Sequence, residues 1–594
     1  MNLPKGKSFS GKQWIFPQCD EREVLAIQQQ CGVSDVIARI LSARHIPTSQ
    51  VHEFLQPRLK DLLPDPSLLL GMDNGVERVV CAIENIKTNG FPINSNHSRE
   101  KITIYGDYDV DGATSVSLLM RYFEQIGIHA DFYIPDRLTE GYGVHIDSIS
   151  KIKQQGTTLL IMVDCGTTSS KEIELATTLG MDSIVLDHHA ANVELPKAVA
   201  VVNPHRIDQP CVSHTQDLCA AGVVFLFLVA LQRRLKELKY FDANGFSAPP
   251  NLLEYCDLVA LGTVCDVMPL LGLNRAFVCH GLKLMRNNEG IRALMDVAGI
   301  KDKLCAGHLG FAIGPRINAG GRIGSSALGT QLLTTHDELV AKEIALKLNA
   351  LNEERQRMEN KMLREAIDEI EQRELTKNPS LLIGHKSWHA GLIGILASRL
   401  KDRYNRPSFV VSIEGDTCRG SARSIVGLNI GELIHKAVRL GILTGGGGHS
   451  MAGGLSLQLQ KFETFYEFLN VETAEFVKSY VPTLQIDAEI FCPTIELLHD
   501  LEQLEPFGVG NHAPKLCIRR VNPIFTKVVS GGHLQCCFRN EAGDSLRAIA
   551  FRAAGTNLEQ ALRNGQAMSI AVTIKEDSFN PGAVQLILED ATAL

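Results

Sequence analysis

Between residues 100 and 205 the chain alternates short apolar runs with longer stretches of helical period. ITIY (102–105), ADFYI (130–134), TLLIMV (158–163), SIVL (183–186) and AVAVV (198–202) read as strands, and residues 113–126 repeat their apolar positions as a helix does. Apolar strands joined by helices predict right-handed βαβ units and a parallel sheet. Ligands of such sheets bind beyond the carboxyl ends of the strands. The polar residues stand there: Gly106-Asp107 after the first run, Asp164-Cys165-Gly166 after the third, and Asp187-His188-His189 after the fourth.

Elsewhere the pattern changes period. Residues 218–231 form the most apolar run, too short to span a bilayer, and read as a buried helix. Residues 251–264 read as another helix, ending at Asp266 within GTVCDVMPL. Residues 336–374 lack Gly and Pro and keep a helical period through Ala341, Ile344, Ala345 and Leu348. One long helix joining two lobes is expected there, against two shorter helices bent near residues 349–352. From about residue 486, KLCIRRV, FTKVVS, LQCCF, SLRAIAF, SIAVTI and VQLIL are short strand-like runs spaced as in a small barrel. Residues 1–75 mix helical patterns with prolines and show no chemistry, and a polar stretch, 94–100, leads into the first strand. The expected fold class is therefore α/β: a parallel-sheet domain (76–335), a connecting helix (336–375), a second α/β lobe (376–480) and a C-terminal β-barrel (481–594), after an N-terminal segment (1–75).

Length and composition are compatible with this division. At 594 residues the chain is too long for one core, and about three to five domains are expected. No basic region followed by an apolar stretch opens the sequence, so no secretory signal and a cytoplasmic location are expected. The 15 cysteines lack CxxC spacing and suit a reducing compartment. A net charge of −8 argues against indiscriminate coating of nucleic acid. Two stretches depart from that average: residues 399–439 carry eight Lys/Arg against four Asp/Glu, and residues 511–552 carry seven against two.

KITIYGDYDVDGA (101–113) presents Asp107, Asp109 and Asp111 at alternate positions before a helix. Three carboxylates so close repel one another, and a divalent cation such as Mg²⁺ or Mn²⁺ is the simplest counter-charge. The plainer reading is a solvated turn with Asp as a helix cap. An EF-hand is excluded, because the Glu its loop needs at position 12 is absent. Asp164, the His188-His189 pair and Asp266 each admit a structural role too. Together, in order and at element ends, they match the Asp-plus-imidazole ligand set of a two-metal hydrolase.

GDYDVDG, VDCG, LDHH and GTVCDVMPL resemble the four motifs of the DHH phosphoesterase superfamily. GPRINAGGRIG (314–324), SWHAGLIGILASRL (387–400), GSARS (420–424), GGGGHSMAGG (445–454) and LEPFGVGN (504–511) resemble the RecJ family within it, from about residue 75 to the C-terminus. The resemblance implies a DHH domain, a DHHA1-like nucleic-acid-binding lobe and an OB-fold, in a single-strand-specific exodeoxyribonuclease of DNA repair and recombination. It would degrade single-stranded DNA from the 5′ end to mononucleotides with two Mn²⁺ or Mg²⁺ ions, assisted by a helicase and a single-strand-binding protein.

Carried over position by position, Asp107, Asp109, Asp111, Asp164, His188 and Asp266 would be metal ligands, with Asp164 bridging. Asp164, His188 and His189 would be catalytic, His189 as a ligand neighbour or acid–base group. Tyr105 stands where many superfamily members carry a metal-binding His; a phenol titrating near about 10 is a poor ligand, which leaves that role open to Asp107. Ser421 and Arg423, with Arg322 and Arg399, would clamp a 5′-terminal phosphate, with Arg316, His389 and His449 nearby. The glycine run lets backbone approach a phosphate closely, so Gly447 and Gly448 join Ser421 and Arg423 in an expected phosphate cradle. In the barrel, Phe525, Phe538 and Phe551 are available for base stacking, although core positions are the commoner fate of such residues. Two rivals share these features. One is another phosphodiesterase of the superfamily acting on oligoribonucleotides or cyclic dinucleotides, which the length and the barrel disfavour. The other is a non-catalytic replication scaffold, which the intact acidic set disfavours.

Overall fold

A computed structural model of the chain describes residues 7–88, 100–137, 140–141, 143–301, 303–577, 580 and 582–594. The polar stretch 94–100 lies, except for Glu100, outside the described residues. The chain forms two compact units. One comprises Arg58–Ala474 with Gly508–Asn511, and the other comprises the residues up to Pro57 with Glu475–Phe507 and His512–Leu594.

The first unit is built on strands β1 (Ile102–Gly106), β2 (Ala130–Tyr133), β3 (Leu159–Val163), β4 (Asp182–Leu186) and β5 (Ala200–Val202). Their order is β2-β1-β3-β4-β5, parallel throughout. Strand alternation sends Ile104, Ile161, Ile184 and Leu186 into one core, and Tyr105, Leu160, Met162 and Val185 into another. Both faces are thus covered, as an all-parallel sheet requires. On the first face pack α1 (Val110–Gln125), α2 (Ala220–Glu237) and α3 (Cys256–Cys265). The helix expected over 251–264 begins later, because Leu252–Tyr255 forms a 3₁₀ turn whose Asn251 cap accepts from Leu253 N–H. Helix α4 (Gly314–Ile323) continues a π-helical turn, Leu309–Ile313.

Helix α5 (Glu338–Gln372) runs 35 residues without a break, capped by Asp337 accepting from Leu339 and Val340 N–H at 2.8 and 3.2 Å. The single long helix is therefore the form adopted, and no break divides it near residues 349–352. Ala341, Ala345 and Leu348 enter the sheet core, while Met362, Ala366 and Ile370 enter the second lobe's core. Between them Asn352, Arg355 and Glu359 are buried and mutually bonded, with Arg355 2.9 Å from Glu359. The second lobe holds a five-stranded sheet of β6 (Leu381–His385), β7 (Ser408–Glu414), β8 (Thr417–Arg423), β9 (Gly445–Gly448) and β10 (Ala452–Gln458), in the order β9-β10-β8-β7-β6. Helices α6 (Ile393–Tyr404) and α7 (Ile430–Arg439) cover it.

In the second unit β11 (Ala488–Ile490) flanks a closed five-stranded barrel. Its strands are β12 (Leu516–Val529), β13 (His533–Arg539), β14 (Ser545–Ala550), β15 (Met568–Glu576) and β16 (Val584–Ala593), closed by the pairing of β12 with β15. KLCIRRV and FTKVVS, read as two strands, form one. β12 bends around the barrel through register shifts at Ile518/Val521 and Pro523/Phe525, with Arg520 at φ +51°. The N-terminal segment gains a role here. Val24, Ile27, Ile37 and Val51 pack into the barrel's core, and Trp14 donates to Asp590 at 3.1 Å. Residues 58–75 belong to the other unit, where Leu59, Leu62 and Leu69 join the sheet core. No helix among the described residues is long and apolar enough to cross a membrane.

Candidate metal centre and phosphate cavity

The strand ends converge as the alternation predicts. After β1, Asp109 caps α1, its carboxylate accepting from Asp111 and Gly112 N–H at 3.0 and 3.1 Å. The capping reading and the ligand reading therefore describe the same residue. A side chain at Gly112 would meet the Asp107 carbonyl at 2.3 Å, which fixes glycine in the motif. Asp111 accepts from Ala220 and Ala221 N–H at 2.6 and 3.0 Å, the first turn of α2, where free N–H groups favour an anion. Gly262 of α3 lets that helix approach, since a Cβ there would stand 2.7 Å from Asp111 Oδ1. Asp164 follows β3 at φ +59°, a left-handed conformation Asp tolerates better than most residues.

Three groups of side chains result, the ligand atoms in each lying within 4.8 Å of one another: Asp107, Asp109 and Asp164; Asp111, His188 and Asp266; Asp164, His188 and His189. His188 Nε2 lies 3.4 Å from Asp164, 3.5 Å from Asp266 and 3.8 Å from Asp111. That nitrogen and Asp107 Oδ1 are buried with no hydrogen-bond partner among the described residues, which burial makes costly. Burial, then neighbouring carboxylates, push Asp107 and Asp164 far above the carboxylate range, Asp266 up to about 8 and Asp111 up to about 6. Burial, then the adjacent His189, bring His188 down to about 4, so it is neutral and able to ligate. Five clustered carboxylates and a neutral imidazole, with His189 as the one cation in the ligand groups, fit divalent cations.

Tyr105 takes no part. Strand alternation turns it to the opposite face of β1, where its hydroxyl donates to the Gly143 carbonyl at 3.0 Å and its ring stacks on Tyr133. Asp107, carried by the turn after β1, stands instead in a group with Asp109 and Asp164.

Sequence reasoning missed Asp187, whose only signal was its place beside the His pair. It is fully buried and accepts from His188, His189 and Thr167 N–H and from the His189 ring at 2.8 Å. Burial opposes its ionisation, but the His189 contact outweighs this and holds it below the carboxylate range. The reciprocal effect raises His189 to about 9 against the opposing effect of burial. Asn203 donates to the His189 carbonyl at 2.9 Å and steadies the pair from just beyond β5.

Beside this centre a cavity of about 1010 Å³ opens between the sheet domain and the second lobe, lined by Arg137, Arg322, Lys386, Arg419 and Arg423, with one carboxylate, Glu414. Ser421 and His389 also line it. Arg423 donates to Ser421 Oγ at 3.1 Å and to the Ala422 carbonyl at 2.8 Å; Arg322 donates to the Gly391 carbonyl at 2.8 Å. Burial, then Arg137 and Arg355, bring Arg322 down to about 10, burial lowers Arg423, and burial, then Arg137, lowers His389. An anion would relieve these shifts. Arg137, which sequence reasoning passed over although it follows the end of β2, lies 4.7 Å over the Tyr108 ring and so joins the cavity to the metal motif.

Three expected clamp or cradle residues and two expected neighbours stand elsewhere. Arg399 pairs with Glu359 of α5 at 2.9 Å, and Arg316 is held by Asn349 and the Ala312 carbonyl. Neither lines the cavity, since each finds its partner on or beside the helical strut. Gly447 and Gly448 form no loop. They belong to the edge strand β9, paired with Gly454 and Gly453 of β10, and a Cβ at Gly448 would collide with the Ala452 carbonyl at 2.3 Å. The glycines serve close packing of strand and helix, and the exposed His449 binds Ala452 through its backbone.

Residues 101–263 match the DHH family N-terminal domain, 378–475 the DHHA1 domain and 486–590 the RecJ OB domain. The single-stranded-DNA-specific exonuclease RecJ of Escherichia coli (strain K12) is 36% identical over 73% of this chain and 73% of its own length. The chain belongs to the RecJ family. A crystal structure of RecJ from Thermus thermophilus in complex with Mn²⁺ superposes with a TM-score of 0.78 at 27% identity, covering 98% of this chain and 80% of that one. The Mg²⁺ complex from the same organism gives 0.72 at 25%, covering 98% and 79%. Both ions found in these relatives are hard cations of the kind the carboxylate cluster suits.

Proposed function

We propose that the chain is a metal-dependent exonuclease that degrades single-stranded DNA from its 5′ end, releasing mononucleotides. Membership of the RecJ family supports hydrolysis of single strands. The observation that carries the residue assignments is the pairing of two sites within one unit: metal-ligand groups that share Asp164, and beside them a cavity of cations.

Two divalent ions, Mn²⁺ or Mg²⁺, would supply an activated water and neutralise charge on the scissile phosphate. Asp107, Asp109 and Asp164 would hold one ion, Asp111, His188 and Asp266 the other, with Asp164 between them. Asp187 fixes His189 by its ring nitrogen, and His189, charged at neutral pH, would give a proton to the leaving oxygen. Arg322, Arg423 and the Ser421 hydroxyl would grip the 5′ phosphate, so direction comes from the cavity rather than from the metals. Work on strands exposed in repair and recombination would place the chain in the cytoplasm beside a helicase and a single-strand-binding protein.

The test is digestion of end-labelled single strands and duplexes with and without Mn²⁺, with product lengths resolved. Mononucleotides appearing first from the 5′ end of single strands are expected. Release from the 3′ end first would overturn the directional assignment.

A further inference from the structure

The helical stretch that delivers Arg322 to the cavity begins irregularly. Leu309–Ile313 forms one π-helical turn running into α4. Leu309 and Ile313 are fully buried, yet Phe311 between them is 89% exposed. Burying a phenyl ring is favourable and π-turns gather at functional sites, so a ring held in water on such a turn suits an occupant that comes and goes.

Its surroundings identify the occupant. A Cβ at Gly310 would touch Val264 at 3.5 Å, and the Cys265 thiol donates to the Leu309 carbonyl at 3.5 Å, so the turn lies against the end of α3 just before Asp266. Val267, directly after Asp266, is 64% exposed at φ +62°, a conformation β-branched residues adopt only under constraint. Apolar surface thus flanks Asp266 from two elements. Phe311 precedes Arg322 by eleven residues, about 16 Å of helix at 1.5 Å per residue, a span of several nucleotides. A strand with its 5′ end at Arg322 and a phosphate at the metal centre would continue toward Phe311.

We infer that Phe311 is a stacking platform for an unpaired nucleobase on the 3′ side of the scissile phosphate. This rests on the single-strand reading above and adds a contact to it. The cations of the cavity grip phosphate and ignore bases, whereas a phenyl face accepts the π-face of any base, so the contact positions the strand without selecting its sequence.

The test measures KM and kcat for release of the first nucleotide by the full-length protein in Mn²⁺. Its substrates are 5′-labelled oligonucleotides, either intact or with one base removed at successive positions. For the wild type, removal of one particular base is expected to raise KM roughly 5- to 100-fold, the range of a lost base–aromatic stack. Phe311→Ala should show that raised KM on the intact strand, the same kcat, and no further response to the missing base. Phe311→Trp should restore the wild-type profile, and Phe311→Leu, apolar but without a ring, should not. The inference is overturned if Phe311→Ala keeps the wild-type dependence on the missing base, if Phe311→Leu matches the wild type, or if no position responds in the wild type. Absence of any release from intact single strands would instead overturn the functional reading on which it rests.

Discussion

The metal centre gathers five aspartates and two imidazoles, while the cavity beside it gathers five cations, one carboxylate and a serine hydroxyl. Each concentrates groups of mostly one sign in buried surroundings, against a single opposite charge (His189 in the first, Glu414 in the second), and each suits a ligand of the other sign. They differ in how the charge is held. Asp109 and Asp111 are fixed by backbone N–H groups at helix starts, and Asp164 sits on the turn leaving a strand. Arg322 and Arg423 reach the cavity on long side chains, steadied by carbonyls. Short side chains on rigid elements suit chemistry that tolerates little displacement, and long ones suit a terminal phosphate that must enter and leave. Losses at the first site should therefore be near total and losses at the second graded.

The largest effect is expected at Asp164, which is shared between ligand groups. Asp164→Ala should lower kcat by at least about 100-fold, the scale of losing several kcal/mol of charge stabilisation, and leave strand binding within a few-fold. Near-normal turnover at saturating Mn²⁺ would remove the bridging role and weaken the contrast between the sites.

Next comes Arg423. Loss of a charge-assisted hydrogen bond should cost about 10- to 100-fold on 5′-phosphorylated strands, with a smaller effect on 5′-hydroxyl strands and unchanged Mn²⁺ affinity. Competition between two substrates differing only in that phosphate reads this directly. Equal slowing of both would make Arg423 a general backbone contact.

A third expectation concerns the acidic site without its ions. Burial and neighbouring carboxylates raise Asp111 to about 6 and Asp266 to about 8 in the folded chain. A raised carboxylate favours folding fully below its unfolded value, and that contribution disappears as pH rises through the folded one. The melting temperature of the metal-free protein should thus fall as pH rises from about 4 to about 8, and Mn²⁺ should flatten the decline, binding more tightly as protons leave. A melting temperature independent of pH in chelator would show that the carboxylates already have a counter-charge.

The smallest effect lies in the barrel, where Phe525 and Phe551 are about half exposed while Phe538 is core. Lys575 stands 6.0 Å over the Phe551 ring. Phe525→Ala with Phe551→Ala should raise KM for long strands by about 5- to 10-fold and leave very short oligonucleotides unaffected. Deleting the barrel is a poorer test, because residues 24–54 share its core and would lose their partner. Equal changes on long and short strands would confine those rings to a structural role.

Much of this was legible in the chain. Apolar runs of strand length bounded by Gly and Asp located five parallel strands within two residues of their ends, because strands covered on both faces are written as continuous hydrophobic runs. The long helix was legible from an uninterrupted period, and the clustering of acidic and imidazole side chains from their places at strand ends. The closed barrel was legible as a spacing of runs, but not the joining of two runs into β12, since a bent strand and a hairpin share the same local pattern.

What the sequence by itself determined is the set of elements and the chemical types at their ends, because both follow from local periodicity. Which partners those residues meet was decided only by the tertiary structure. Arg399 and Arg423 read alike in the chain, yet one is neutralised by Glu359 and the other lines the cavity. The glycine run reads as part of a phosphate cradle until β10 and α7 pack against it. The N-terminal segment reads as featureless until its apolar positions find the barrel 400 residues and more downstream. Contacts between residues so distant in sequence depend on three-dimensional packing and leave no periodic trace in the segments that make them.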